Sequence, residues 1–300
     1  MLLYIEMIKE IPIKEFNSKL KYDTKKYPQC TCGKGCFKFF FNYCAIASRA
    51  SGKSWNMASI IKHYQDNVIK DNEDNVYKTR VFIISPTLEQ NEVFKSLDID
   101  FENDTYDGYS DEVLDEIIDK IDADKQSWMD YKNYKGVFKK YMRLKVDEVD
   151  KLSDEELQLL IKHNFDDYRN LPKVEPKVYF LILDDLLGTK ALSTSKRSKL
   201  MNLFIKNRHH HLCCMFAVQS IKGLPKEIRL NTNVFFLGKF ANTQTILPEF
   251  WEEVSNCITM EKLNELYTHC LQDKYGSLIV DLTHDEKRFM KGLDAVLELN

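Results

Sequence analysis

The sequence predicts an α/β fold: a central, mostly parallel sheet covered by helices on both faces. Three observations carry this. Short runs that are apolar throughout alternate with helical patterns, as strands buried on both faces require. One such run ends at Ala47 and passes through Ser48-Arg49-Ala50-Ser51-Gly52-Lys53-Ser54 into apolar residues at helical spacing. Another, VYFLILDD over Val178 to Asp185, ends in two aspartates.

Taken in order, residues 1–36 mix short apolar stretches with Lys, Pro and Gly and read as an N-terminal extension or an edge element. Residues 37–300 read as one domain. The last part of FKFFFNYCAIA, Phe37 to Ala47, predicts a buried strand. Trp55, Ala58, Ile60, Ile61 and Tyr64 predict a helix that ends between Asp66 and Asn75. VFIIS, Val81 to Ser85, predicts a second strand, stopped by Pro86. A helical, acidic insertion is expected over about 87–176. Within it Val113, Leu114, Ile117, Ile118 and Ile121 form an apolar stripe, and Ser153 with Glu156 forms a capping box. After the VYFLILDD strand, Leu200, Met201, Leu203 and Phe204 predict a helix. LCCMFAV (Leu212 to Val218), VFFL (Val234 to Leu237) and SLIVDL (Ser277 to Leu282) predict three further strands.

Composition narrows the class. Of 300 residues, 44% are hydrophobic and 30% charged, which excludes a mainly disordered or collagen-like chain. The longest apolar runs are shorter than the roughly 20 residues of a membrane helix. Neither a membrane span nor a lipid anchor is expected. Met1 to Met7 is apolar but short and lacks a small-residue cleavage site, so no secretion signal is expected. The net charge of −3 excludes a uniformly basic nucleic-acid binder, yet charge is unevenly placed. Asp98 to Asp124 holds 12 acids and one base, Lys120, whereas Leu186 to Phe240 holds 10 Lys and Arg and one acid, Glu227. The basic stretch suits contact with a phosphate backbone, or is a solvated charged face.

The 8 cysteines do not look like a disulfide framework. Cys30, Cys32 and Cys36 lie close together in CTCGKGC and are either loop thiols or part of a zinc site.

Ala47 to Ser54, ASRASGKS, matches the phosphate-binding loop pattern, with Ala where Gly is commoner at the first position. Between a strand and a helix, such a loop aims backbone N–H groups and the helix dipole at a phosphate. Gly52 lets the backbone turn close to the ligand, Lys53 reaches the β- and γ-phosphates, and the Ser54 hydroxyl holds Mg²⁺. Asp184, at the end of its strand, is expected to orient the same metal. Asp185 is expected to act as general base on the attacking water. Gln219, closing the LCCMFAV strand, either faces the γ-phosphate as a nucleotide sensor or is a satisfied turn residue.

Arg208-His209-His210-His211 precedes LCCMFAVQS, and Leu224-Pro225-Lys226-Glu227-Ile228-Arg229-Leu230-Asn231 precedes VFFL. With the Arg49-containing loop and the LILDD strand, this order resembles the genome-packaging ATPases of large double-stranded DNA viruses, the poxvirus-type members of the FtsK–HerA superfamily. The resemblance spans about Asn42 to Phe240. It departs at Ala47, Asp185, His211 and the cysteine cluster.

The resemblance implies a P-loop NTPase core of the additional-strand catalytic Glu type, with a strand inserted between the loop strand and the Asp-Asp strand. It implies an ATP- and Mg²⁺-dependent motor that forms a homo-oligomeric ring and moves double-stranded DNA into a preformed capsid. Arg229 would then be an arginine finger reaching a neighbouring subunit's γ-phosphate, with DNA contact or a helix cap as the other readings. Capsid or portal-region proteins are the implied partners, and the host cytoplasm (viral factory) or the virion the implied location. A phage-type terminase is disfavoured, because about 60 residues follow the fifth strand, too few for a nuclease domain. A cellular DNA translocase or helicase and a nucleotide-dependent scaffold or switch stay open.

Overall fold

The computed structural model describes residues 28–30, 36–186, 198–284, 286 and 288–298. The strands are β1 (Gln29–Cys30), β2 (Asn42–Ile46), β3 (Ile69–Lys70), β4 (Val76–Ile84), β5 (Thr105–Tyr106), β6 (Lys177–Leu183), β7 (Leu212–Val218), β8 (Val234–Leu237), β9 (Leu278–Asp281), β10 (Arg288–Lys291) and β11 (Ala295–Leu297). The helices are α1 (Lys53–Asp66), α2 (Asp111–Tyr141), α3 (Asp154–Lys162), α4 (Lys199–Lys206), α5 (Lys226–Asn231), α6 (Thr243–Val254) and α7 (Met260–Cys270).

All strands join one sheet in the order β1-β3-β4-β6-β7-β2-β8-β9-β10-β11, with β5 beside β4. The central strands β4, β6, β7, β2 and β8 are mutually parallel. β7 therefore stands between β2 and β6, where the resemblance places an added strand. β9 runs antiparallel to β8 and starts an antiparallel extension through β10 and β11.

Period-2 alternation divides the core into two layers. Cys44, Ile46, Leu181, Leu183, Cys214 and Phe216 face α2, α4, α6 and α7. Tyr43, Ala45, Phe180, Ile182, Cys213 and Met215 face the other way, toward Met57, Ile60, Ile61 and Tyr64 of α1. Both sets are buried, which is why these runs contain no polar alternation.

The acidic connection between β4 and β6 is tied into this core. The Ser110 hydroxyl caps α2, and Leu114, Ile117 and Ile121 bury against the sheet. Arg80 on β4 donates to both Asp104 oxygens and to Asp124, and Lys177 on β6 also reaches Asp124. Asp104 is almost wholly buried, so part of this acidic surface is internal. The second half of α2 packs Tyr134 and Phe138 against Leu160 of α3, whose N-terminus carries the Ser153–Glu156 capping box.

Candidate nucleotide-binding site

The site is built where β2 ends. The Ala47 amide donates to the Val218 carbonyl at 3.1 Å and the Ser48 amide to the Lys239 carbonyl at 2.9 Å, so the loop hangs from the ends of β7 and β8. The Ser48 hydroxyl adds a 2.8 Å bond to Lys239 and lies 2.9 Å from the Ser51 hydroxyl. Gly52 is the N-cap of α1 at φ 81°, a left-handed conformation that glycine adopts without steric cost. Ala50, at φ 56°, has no such freedom.

Lys53 bends back over the loop, donating to the Ala47 carbonyl at 3.0 Å and the Ser48 carbonyl at 2.9 Å. Burial lowers its pKa; Asp184 and Asp185 oppose that shift, and Arg49 adds to it. The Ser54 hydroxyl donates to Asp184 Oδ2 at 2.9 Å, and Asn91 Nδ2 lies 3.3 Å from the same oxygen. Asp184 is buried, and burial raises its pKa, helped by the charge of Asp185 and opposed by Ser54 and Lys53. Asp185 is exposed, at φ 57°.

These groups enclose a cavity of about 170 Å³, lined by Arg49, Ala50, Lys53, Ser54, Thr87, Asn91, Asp184, Asp185 and Gln219 together with the end of β7. Of the sequence-selected residues, Arg49, Ala50, Lys53, Ser54, Asp184, Asp185 and Gln219 thus meet. Ala47, Ser48, Ser51 and Gly52 shape the loop behind them.

Arg229 is not among the lining residues. It forms an ion pair with Glu253 of α6, and its Nε is buried with no hydrogen-bond partner among the described residues. Thr87 and Asn91 were not selected by sequence reasoning. The available signal is topological: they follow β4, the neighbour of β6, and so return to the same sheet edge.

The donor set suits a hard divalent cation. A buried carboxylate and a hydroxyl meet at hydrogen-bond distance, both oxygen donors of the kind such a cation takes. Among the described residues no three His, Cys, Asp or Glu gather as a metal cage.

The cysteine cluster differs from its sequence reading. Cys32 lies outside the described residues, and Cys36 is in a disulfide, so that sulfur is no thiolate ligand. The expectation of a loop thiol or zinc ligand does not hold at Cys36. Of the basic stretch, Lys190, Lys196 and Arg197 lie outside the described residues. Lys199 pairs with Asp115 and Lys222 with Glu249.

A loop between β2 and α1, a carboxylate pair after β6 and an intervening β7 define the P-loop NTPase fold with an additional strand. Solved structures of similar fold include the genome packaging NTPase B204 of Sulfolobus turreted icosahedral virus 2 in complex with AMP. It is 13% identical, at a TM-score of 0.45 over 84% of this chain and 96% of that one. ATPases 2 and 3 of EssC from Geobacillus thermodenitrificans are 12% identical, at a TM-score of 0.41 over 84% of this chain and 39% of that one. The N-terminal domain of zonular occludens toxin from Neisseria meningitidis is 9% identical, at a TM-score of 0.32 over 87% and 95%. No family model and no curated protein matches the sequence.

Proposed function

We propose that the chain is an ATP-hydrolysing motor that translocates double-stranded DNA, and that its task is to package a viral genome into a preformed capsid. The observation that carries the hydrolytic part is the convergence of Lys53, Ser54, Asp184, Asp185 and Gln219 on one cavity at the end of the parallel strands. The order of motifs from Asn42 to Phe240, with the cations after Leu186, supports the DNA part.

In this reading Lys53 leaves the two loop carbonyls and binds the β- and γ-phosphates. Ser54 and Asp184 would hold Mg²⁺, which when bound neutralises charge on the phosphate oxygens. Asp185 accepts a proton from the attacking water. Gln219 contacts the γ-phosphate and reports its loss through β7. Arg229 exchanges Glu253 for a neighbouring subunit's nucleotide in a homo-oligomeric ring, where a guanidinium stabilises the transferring group. Capsid or portal-region proteins are the partners of such a ring, and the viral factory in the host cytoplasm or the virion is its place.

ATP turnover of the purified oligomer, with and without linear duplex DNA, tests this. Strong DNA stimulation that is lost in Arg229→Ala and regained on mixing with Lys53→Ala subunits supports the ring motor. A DNA-independent rate indifferent to Arg229 replaces it with a nucleotide-dependent switch, a reading favoured by the existing Arg229–Glu253 pair.

A further inference from the structure

The far half of α2 changes sign. Lys125 to Lys145 holds 7 Lys and Arg and one acid, Asp130, directly after the acidic run that ends at Asp124. Bases in the last turn of a helix suit its dipole, but that effect is local. Lys125, Lys132 and Lys135 stand before the last turn, so the dipole does not account for them.

Helical residues three and four apart share a face. Met129, Lys132, Gly136, Lys139, Lys140 and Arg143, the last in the turn after α2, follow that spacing and are all exposed. Tyr134 and Phe138 turn the other way, toward α3. Lys132 pairs with Glu73 and Lys140 with Glu156, whereas Lys139 and Arg143 have no carboxylate partner among the described residues. Lys139 instead lies 5.9 Å from the centre of the Tyr168 ring, which Lys135 approaches at 5.7 Å. Phe138 braces Tyr168 edge-on. The ring steers two cations without neutralising them.

Gly136 sits inside this row. Glycine in an exposed helix interior is less stable than alanine. A Cβ there would meet no atom within 4 Å, so the chain's own packing does not ask for glycine. Bare backbone amid a row of cations suits close approach by something outside the chain. Nearer the sheet, Lys125 donates to the His209 carbonyl at 2.7 Å, so the row runs on to the exposed turn of Arg208 and His209. That turn lies at the starts of β6 and β7, the sheet edge opposite the nucleotide cavity.

We infer that this face of α2 docks the phosphate backbone of double-stranded DNA, on the insertion and outside the sheet core. The inference rests on the DNA reading above and gives that contact a place. From Lys132 to Arg143 the row extends about 16 Å, room for several phosphates of a duplex that carries one charge per about 1.7 Å. A protein partner would call for an apolar centre, and Met129 is the one large apolar residue in the row. The acids of a second copy are also poor candidates, since Asp115, Glu116 and Asp124 already have cations within the chain.

The test is fluorescence anisotropy of a labelled linear duplex of about 30 base pairs with the full chain, across a salt series. Lys132→Gln, Lys139→Gln and Arg143→Gln combined are expected to weaken binding by about 10-fold or more at about 0.1 M salt, and to flatten the log–log salt slope by about 2 to 3. Scrambling the duplex sequence should change neither, because phosphates carry no sequence. Gly136→Gln should melt higher than the wild type yet bind duplex at least about 3-fold more weakly. Duplex binding that both variants leave unchanged overturns the α2 surface and leaves the DNA reading standing. Unchanged duplex binding with loss of self-association in the triple variant, read by sedimentation, replaces DNA on this face by a second copy. No duplex binding by the wild type, with or without Mg-ATP, overturns both readings.

Discussion

The Ser54 hydroxyl and the Asp184 carboxylate meet at 2.9 Å although 130 residues separate them. The first opens α1 and the second ends β6, and only the insertion of β7 between β2 and β6 sets that spacing. A hydroxyl bonded to a buried carboxylate is what a divalent cation would pull apart into two ligands.

Asp184→Asn is expected to separate stability from activity. Burial raises the Asp184 pKa in the folded state, so its contribution to stability is present at acid pH and lost as pH rises toward neutral. The amide carries no charge, so the variant should melt higher than the wild type near pH 7 without nucleotide. Its Mg²⁺-dependent ATP turnover should fall by at least about 100-fold. Thermal melts across pH with a turnover assay check both, and an unchanged or lower Tm refutes the first.

Gly52→Ala isolates backbone geometry. No atom stands within 4 Å of where the Cβ would be, so the variant meets only the φ penalty of about 1–2 kcal/mol. It should fold, melt a few degrees lower and bind nucleotide at least about 10-fold more weakly, because the loop amides shift. Calorimetry against the wild type measures this.

Arg80→Met should be damaging away from the site. It leaves buried Asp104 with Lys120 at 3.8 Å and Asp124 with Lys177, so a loss of about 1–3 kcal/mol is expected. Denaturant unfolding should show it. The KM for ATP of the remaining folded protein should not move.

His211 gives the chain an acid sensitivity. Burial, Lys125 and His210 lower its pKa to about 4, and its ring stacks on Phe40 at 5.1 Å. The unfolded chain therefore takes up a proton between about pH 6.5 and 4 that the folded chain refuses. Stability should be level above that window and decline on acidification through it, by up to about 3 kcal/mol. His211→Asn, which keeps the residue's positive φ accessible, should remove this part of the decline. Parallel wild-type and variant curves refute the assignment.

Legibility followed burial. Leu212–Val218 and Val234–Leu237 have the bounds their apolar runs predict, because a strand covered on both faces admits no polar residue. ASRASGKS and the Asp184–Asp185 pair were legible because phosphate and metal chemistry restricts the residue types. The two-residue strands β3 and β5 and the β10–β11 hairpin were not, since they are too short or too exposed for periodicity to mark. SLIVDL was legible as a strand, but its antiparallel direction is set by the chain path through α6 and α7. Asn91 and the Glu253 partner of Arg229 are positions that only topology brings to their neighbours.

α2 has 31 residues and so extends about 46 Å. Its root, at Leu114 to Ile121, is clamped to the sheet that carries Asp184, and its far half packs against α3. Such a rod converts angle into distance. A rotation of about 5° at Ile121 sweeps the tip at Tyr141, about 30 Å further on, through about 2.6 Å. Shear too small to disturb the interdigitated core would therefore be broadcast as a larger displacement at the C-terminal end of α2.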